Sequence, residues 1–371
     1  MYLIKNGMIL DSKEIRFYKG DILVDGNKIV KIADDIEENC EVIDANGNYV
    51  VPAFIDIHTH GGMGFDFLDA SVEDIKSLLD YYERLGTKTV YATTVTASKE
   101  NILKAIRNIV TASKLYSNVT IEGIHIEGPF ISEKQPGCHM ISQIRKPTID
   151  ELDEICAAAC GIKLKITVAP EVEGAEEFIK EAVRRGINIG IGHSNADSET
   201  AKAALSWGAN TMIHTFNAMS PLHHRKPGCV GIALLSDAYT EIISDGYHVN
   251  PDVVKLTYKV KGTDRLILIT DSMQAAGMPN GKYAIGGIDV YMKDEKVTTE
   301  DGTLAGSTLN LHKAVKNLME FAGASLGEAV VCATRNPAKA VGIYDEVGSI
   351  DVGKRADMLI LDRDLEIQRV L

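Results

Sequence analysis

Hydrophobic and polar residues alternate along the two ends of the chain. Segments such as "GDILVDGNKIVKIA" near the start and "EVGSIDVGKRADMLILD" near the end switch between Ile, Val or Leu and polar residues. This period of two is typical of β-strands with one buried face, and the Asn-Gly and Asp-Gly pairs between the segments favour tight turns. We predict one small, discontinuous β-sandwich domain built from both termini, with residues 1–51 and residues 342–371 as its two parts.

The middle of the chain, residues 52–341, follows a different pattern. Short β-branched runs alternate with longer segments in which apolar residues recur every three or four positions, as in amphipathic helices. The predicted strands cover Phe54–His58, Val90–Thr96, Thr120–Glu127, Leu164–Ala169, Asn188–Gly192, Thr211–Thr215, Glu241–Ser244 and Leu266–Thr270. The predicted helices lie near 71–85, 99–113, 149–160, 174–185, 198–207, 250–260 and 308–322, and the unit between the sixth and seventh strands is short. Eight strand–helix units in ~250 residues are typical of an α/β fold, the (β/α)8 TIM barrel.

One stretch interrupts the barrel pattern. Residues Gly281–Leu304, which include "YAIGGIDVYMKDEKVTTEDGTLAGS", return to short alternating segments with Gly-rich breaks. We interpret this stretch as a β-hairpin insertion after the last barrel strand.

Potential metal ligands stand at the carboxyl ends of the predicted barrel strands. His58 and His60 end the first strand, and alternate residues of a strand face the same side. The other candidates end the third, fifth, sixth and eighth strands: Glu127, His193, His214 and Asp271. Each alone is explained by a structural role, such as a hydrogen-bonded His or a helix N-cap for Asp271. Six candidates at the face where barrel enzymes carry their active sites indicate a metal site instead.

The donor atoms of this set are nitrogen and oxygen, without a thiolate. Such a set suits Zn²⁺ or Fe²⁺ and admits Mn²⁺ or Co²⁺. The six donors suffice for two divalent transition metals per subunit, ~3.5–4 Å apart and bridged by a carboxylate. We predict that His58 and His60 hold one ion, that His193 and His214 hold the other, and that Glu127 bridges them. Asp271 then remains to accept and return protons.

Charge and cysteine content narrow the possible partners. The formal charge is 39 − 52 = −13, which argues against a nucleic-acid or anionic-membrane surface, although a local basic pocket can still bind a small anion. No stretch approaches the ~20 apolar residues of a membrane span. The six cysteines form no CxxC pair, and together with the absence of an apolar N-terminal segment they predict a cytoplasmic protein.

Six short motifs, in this order, resemble the N-acetylglucosamine-6-phosphate deacetylases of the amidohydrolase superfamily. They are HxH, HxEGPF, GHS, HxFNAM, DGxH and TDS, and the resemblance covers essentially the whole chain. Many barrels of this superfamily bridge their metals with a carboxylated Lys at the end of the fourth strand. Here that end reads Thr167-Val168-Ala169-Pro170-Glu171, and Glu127 takes the bridging place, as in the deacetylases.

The resemblance also implies a substrate site. Cys138 and His139 match the family's Gly-small-His motif, whose His contacts the phosphate end of the sugar, and Asn217 and Ala218 match the groups that contact the phosphate itself. Arg225 matches an Arg that reaches the phosphate in the neighbouring subunit, which implies a homodimer in which Arg225 completes the neighbour's site. His248 matches a His that polarises the acetyl carbonyl, and Asp245 belongs to the same motif. Ala305, Gly306 and Ser307 match a loop that closes the pocket.

The implied activity is metal-dependent hydrolysis of N-acetyl-D-glucosamine 6-phosphate to D-glucosamine 6-phosphate and acetate. Such an enzyme serves amino-sugar catabolism and cell-wall sugar recycling. A deacetylase for another N-acetyl hexosamine 6-phosphate, such as N-acetylgalactosamine 6-phosphate, remains open, as does a single metal at Glu127, His193 and His214. An amidohydrolase for cyclic amides and a non-catalytic barrel scaffold agree less well with the phosphate-directed residues and the complete ligand set.

Overall fold

The computed structural model describes residues 1–371, which form twenty β-strands and ten α-helices. The strands are β1 (Tyr2–Asp11), β2 (Arg16–Asp25), β3 (Lys28–Ala33), β4 (Glu41–Asp44), β5 (Tyr49–Pro52), β6 (Phe54–Thr59), β7 (Gly61–Gly62), β8 (Phe65–Asp66), β9 (Thr87–Thr94), β10 (Thr120–Ile126), β11 (Lys163–Val168), β12 (Asn188–Ile191), β13 (Thr211–Met212), β14 (Tyr239–Ile242), β15 (Leu266–Leu268), β16 (Gly281–Ile285), β17 (Ile288–Lys293), β18 (Lys296–Thr298), β19 (Met358–Leu361) and β20 (Ile367–Val370). The helices are α1 (Val72–Arg84), α2 (Lys99–Leu115), α3 (Ile149–Ala159), α4 (Ala175–Arg184), α5 (Ser198–Ser206), α6 (Gly228–Leu235), α7 (Pro251–Arg265), α8 (Leu311–Ala322), α9 (Leu326–Cys332) and α10 (Arg335–Ala340).

Eight parallel strands, β6 and β9 to β15, form the predicted (β/α)8 barrel. Hydrogen bonds run continuously from β6 through β9 to β15 in chain order, and the barrel closes between its first and last strands at the carboxyl end. There the Asp271 N–H donates to the His58 carbonyl (2.9 Å), and the His60 N–H donates to the Ser272 carbonyl (2.8 Å). Residues of the candidate site thus take part in closing the barrel.

The helices form where the sequence supplies both an apolar stripe and a starting signal. In α1, for example, the buried residues Ile75, Leu78, Leu79 and Tyr82 recur at helical spacing and pack on the barrel. Seven of the ten helices begin at a side chain that accepts a backbone N–H of the first turn. These N-caps are Ser71, Ser98, Thr148, Asp197, Asn250, Asn310 and Ser325.

Strands from both termini form one β unit, as predicted. They belong to a single seven-stranded sheet rather than to two separate sheets. The long strand β1 joins its parts, because β2 pairs with one edge of β1 and both β4 and β5 pair with the other. Its first part, from Tyr2, pairs with β4, and its later part, at Met8 and Ile9, pairs with β5. The strand β19 joins the sheet beside β5, and buried residues from both ends of the chain share one core, as Ile22 and Met358 illustrate.

The insertion after the barrel differs from the predicted hairpin. The strands β16, β17 and β18 form a three-stranded antiparallel sheet, so one strand more than expected is present. Val290 and Val297 from this sheet pack with Met273 in a separate small core beside the barrel mouth. No helix of the molecule combines the length and the apolar character that crossing a membrane would require.

Candidate metal and substrate site

The six predicted ligands meet at the carboxyl end of the barrel. His58 lies in β6, His60 follows it, and the others lie one to three residues after the ends of their strands. All are at least nine-tenths buried: His58, His60, Glu127, His193, His214 and Asp271. The parallel barrel brings them together because the carboxyl ends of all its strands lie on one face.

Glu127 occupies the centre of the cluster. Its Oε1 atom lies 2.9 Å from Nε2 of His214 and 3.3 Å from Nε2 of His193. Its Oε2 atom lies 2.9 Å from Nε2 of His60. Oε1 thus faces three imidazoles, including that of His58 (3.3 Å), and Oε2 faces His60, so the carboxylate contacts both predicted His pairs, as expected of a bridging group.

Asp271 completes the group around the first strand. Its Oδ1 atom lies 3.3 Å from Nε2 of His58 and 3.2 Å from Nε2 of His60. Nε2 of His58 also lies 3.3 Å from Oε1 of Glu127 and has no hydrogen-bond partner of good geometry, although it is fully buried. Donor atoms ~2.0–2.2 Å from one tetrahedral ion are separated by roughly 3.3–3.5 Å. The observed separations and the unpartnered nitrogen thus fit a metal ion.

The electrostatics of the cluster also favour a bound cation. Burial alone would raise the pKa of Glu127, but the surrounding imidazoles outweigh it and hold that pKa well below its usual range. Burial would likewise raise the pKa of Asp271, but His58 and His60 lower it to about 2. Conversely, the two carboxylates overcome burial and raise the pKa of His58 to about 9. Two buried carboxylates require positive charge nearby, which either protons or metal ions can supply.

Three of the ligands have a left-handed backbone, which is uncommon for residues other than glycine. The φ angles are 45° for His193, 24° for His214 and 50° for Asp271. Such conformations are costly and concentrate at functional sites, where the surrounding structure maintains them. All three lie two or three residues after the ends of their strands, where the chain leaves the barrel.

His139 lies at the same end of the pocket as the carboxylates. Its Nδ1 atom receives the Thr96 N–H (3.3 Å), so the neutral ring carries its proton on Nε2, which is 3.7 Å from Oε2 of Glu127. Burial and the neighbouring His193 lower the pKa of His139 to about 4, so the ring is neutral at pH 7. His139 is therefore placed to donate a hydrogen bond into the pocket rather than to bind a metal through Nε2.

A cavity of about 510 Å³ opens above the cluster. The predicted substrate residues Cys138, His139, Asn217, Ala218, His248 and Gly306 line it, together with Thr303 and Leu304 from the insertion. Burial raises the pKa of the Cys138 thiol, which therefore remains protonated and is no thiolate ligand. Ala305 and Ser307 lie behind the wall, where the Ser307 hydroxyl donates to the Thr270 carbonyl (2.5 Å).

His248 is held by Asp245. Nδ1 of His248 lies 2.6 Å from Oδ2 of Asp245, which leaves Nε2 free to face the cavity. Although burial opposes it, the hydrogen bond with His248 lowers the pKa of Asp245. Arg225, in contrast, is exposed outside the cavity of its own chain, where its guanidinium lies 2.9 Å from Nε2 of His224.

The sequence reasoning missed two charged residues beneath the cluster. Lys165 in β11 and Glu241 in β14 are fully buried inside the barrel, and Glu241 touches His58. A signal existed in the sequence, because both are charged residues in segments predicted to be barrel strands, where a buried charge requires a partner.

These features define the class of the protein: a metal-dependent hydrolase built on a (β/α)8 barrel. Residues 49–371 match the model of the amidohydrolase family, whose members depend on metal, and the chain belongs to this family. It is 36% identical to an N-acetylglucosamine-6-phosphate deacetylase of Vibrio furnissii, over 94% of this chain and 88% of the relative. It is also 36% identical to an N-acetylgalactosamine-6-phosphate deacetylase of Escherichia coli O157:H7, over 89% of this chain and 88% of the relative.

A solved structure agrees with the same assignment. A mutant N-acetyl-D-glucosamine-6-phosphate deacetylase of Mycobacterium smegmatis, in complex with N-acetyl-D-glucosamine 6-phosphate, superposes with a TM-score of 0.92. The sequences are 29% identical, and the match covers 100% of this chain and 97% of the other.

Proposed function

We propose that the protein hydrolyses the N-acetyl group of N-acetyl-D-glucosamine 6-phosphate, giving D-glucosamine 6-phosphate and acetate. The observation that carries the proposal is the convergence of four imidazoles on Glu127, with Asp271 and His248 facing the same cavity. The deacetylase activity of relatives that align over nearly the whole chain supports the phosphosugar substrate. The reaction belongs to amino-sugar catabolism and the recycling of cell-wall sugars.

The proposed metal content is two divalent transition ions per subunit. His58, His60 and Asp271 would hold one and His193 and His214 the other, and Glu127, which lies between the two groups, would serve both. The nitrogen and oxygen donors favour Zn²⁺ or Fe²⁺, with Mn²⁺ or Co²⁺ as alternatives. When bound, such ions polarise a carbonyl group and lower the pKa of a nearby water to about 7.

Asp271 is the proposed proton carrier. Because its pKa is low, it is ionised at neutral pH and can accept a proton from the attacking water. The water oxygen forms a bond to the acetyl carbon, the C–N bond breaks, and Asp271 returns the proton to the leaving nitrogen. The products are the free amine of the sugar and acetate.

His248 is proposed to polarise the acetyl carbonyl. Its hydrogen bond to Asp245 fixes the ring and directs Nε2 towards the cavity. A positioned donor stabilises the negative charge that develops on a carbonyl oxygen as the water attacks.

The phosphate end of the substrate is proposed to lie against Asn217 and Ala218, which line the cavity. Arg225 and Lys226 form an exposed basic segment on a chain of net charge −13. A planar guanidinium binds phosphate through two parallel hydrogen bonds. Since Arg225 lies outside its own cavity, we propose a homodimer in which it reaches the partner's phosphate.

Two further assignments complete the proposal. The domain boundaries are those expected from the sequence: residues 1–51 and 342–371 for the β domain, and residues 52–341 for the barrel and its insertion. The six cysteines are all free, which is typical of the reducing cytoplasm, and we place the protein there.

Acetate release from a panel of sugars tests the activity. Metal-quantified protein is assayed with N-acetylglucosamine 6-phosphate, N-acetylgalactosamine 6-phosphate and unphosphorylated N-acetylglucosamine, and the Asp271→Asn variant is the matched control. The proposal predicts that kcat/KM is highest for the first sugar and falls steeply without phosphate. A preference for the galactosamine epimer would instead support the second activity found among the relatives, and release of no acetate would indicate a non-catalytic barrel.

A further inference from the structure

A buried ion pair lies one layer below the metal cluster, inside the barrel. Nζ of Lys165, from the fourth barrel strand, is 2.5 Å from Oε1 of Glu241, from the seventh. Neither side chain is accessible to solvent. Lys165 also donates to the Ile57 carbonyl (3.2 Å), in the strand that carries His58.

Glu241 uses its two oxygens for two different partners. While Oε1 binds Lys165, Oε2 lies 3.3 Å from Nδ1 of His58. The opposite nitrogen of His58, Nε2, faces Glu127 and Asp271 at 3.3 Å each. The imidazole is thus held from behind by one carboxylate and presents its other nitrogen to the cluster.

The other ligands lack this kind of support. The Nδ1 atoms of His60 and His214 are buried without any hydrogen-bond partner, and Nδ1 of His193 lies 3.0 Å from the Gln135 carbonyl rather than a carboxylate. The His58 ring is further fixed by His125, which contacts it edge-on with 4.5 Å between centroids. A carboxylate behind a ligating His fixes its tautomer and orientation and raises its basicity.

We infer that Glu241, neutralised by Lys165, is a positioning residue that holds His58 for the metal ion of the His58–His60–Asp271 group. Lys165 is needed because an isolated carboxylate in the barrel interior would be costly to bury. Neither Lys165 nor Glu241 forms a hydrogen bond or ion pair with His193 or His214, so we expect the ion at those two residues to keep its affinity. The inference rests on the proposed metal site but not on the identity of the substrate.

The test replaces both charges at once, because removing one would leave the other buried and unpaired. Exchanging a buried ion pair for apolar residues of similar size is often tolerated. The variant is Lys165→Met/Glu241→Met, and a second variant, Lys165→Met/Glu241→Gln, restores a neutral acceptor for Nδ1 of His58. The control is Glu122→Gln/Arg355→Met, which removes an ion pair (3.1 Å) between barrel strand β10 and the C-terminal part of the β domain that touches no ligand.

The measurement is a competition titration of metal-free protein with Zn²⁺ alone, with circular dichroism as a check of folding. Loss of such a carboxylate typically weakens metal binding by ~10–100-fold. We expect this loss for one of the two ions in Lys165→Met/Glu241→Met, partial recovery in the Gln variant, and wild-type binding in the control. The decrease in metal affinity in Lys165→Met/Glu241→Met should not add to the decrease caused by His60→Ala, because both changes affect the same ion.

Two outcomes would contradict the inference and can be told apart. Two wild-type affinities in Lys165→Met/Glu241→Met would show that Glu241 does not position His58. If that variant does not fold, Lys165→Met/Glu241→Gln takes its place. Wild-type affinity for both ions in this second variant, instead of the predicted partial recovery, would likewise show that the charge of Glu241 does not position His58. A single ion in the wild-type protein would refute the two-metal assignment and this inference with it, whereas a failed acetate assay alone would affect only the proposed reaction.

Discussion

At the scale of single residues, Glu127 differs from the other ligands because it contacts both halves of the cluster. Its two oxygens each lie 2.9 Å from an imidazole, that of His214 on one side and that of His60 on the other. We predict that Glu127→Gln removes more metal than His58→Ala, since only the first change affects both ions. Metal per subunit, measured by mass spectrometry after gel filtration, checks the order, and the reverse order would argue against bridging.

Asp271 gives a prediction about rate. Asp271→Asn keeps the shape of the side chain but removes the proton acceptor, and general acid–base groups contribute about 10²–10⁴-fold. We expect kcat to fall by that factor, with phosphosugar binding and the ion at His193 and His214 retained. Steady-state kinetics and metal analysis measure both, and a kcat within a few-fold of wild type would assign the proton transfer to another group.

At the scale of elements, the segment that follows β10 depends on Gly128. Its φ angle is +72°, and an added Cβ would lie 1.9 Å from Oγ1 of Thr96, which also contacts His139. We predict that Gly128→Ala lowers the free energy of unfolding by about 2–5 kcal/mol, because left-handed strain and overpacking add. Gly161→Ala is the control, since Gly161 has a similar φ of +89° but open space around it.

Denaturant unfolding compares the two glycine variants. Gly161→Ala should lower the free energy of unfolding only by the left-handed strain, about 1–2 kcal/mol. Equal losses of stability in both variants would mean that the close approach to Thr96 is relieved at no cost. Gly128→Ala should also reduce metal content, because the strain falls next to Glu127.

The elements also show how far the sequence could predict the structure. Strand-ending residues such as His193 and Asp271 were found because β-branched runs and Gly or Ser breaks delimit their strands. The helix α6 was missed because "GCVGIALL" is apolar all round and has no polar N-cap. The pairing of Lys165 with Glu241 could not be predicted, because the sequence does not reveal which distant strands face each other inside a barrel.

At the scale of the whole molecule, the active unit is proposed to be a dimer. Mixing Arg225→Ala subunits with Asp271→Asn subunits yields heterodimers in which one site has an intact Asp271 and the partner's intact Arg225. Random pairing makes about half of the dimers mixed, each with one complete site, so roughly a quarter of wild-type activity should return by the symmetry of a two-fold dimer. An exchange that occurs, as judged by mass spectrometry, but restores nothing would place the action of Arg225 within its own chain.

The central claim is that the strand-end cluster binds metal and that this metal is needed for deacetylation. The most direct measurement is acetate release from N-acetylglucosamine 6-phosphate as metal-free protein is titrated with Zn²⁺, with bound metal counted at each step. Activity should be absent at the start and should reach its maximum at two ions per subunit. Full activity in rigorously metal-free protein, or no activity at any metal content, would contradict the account.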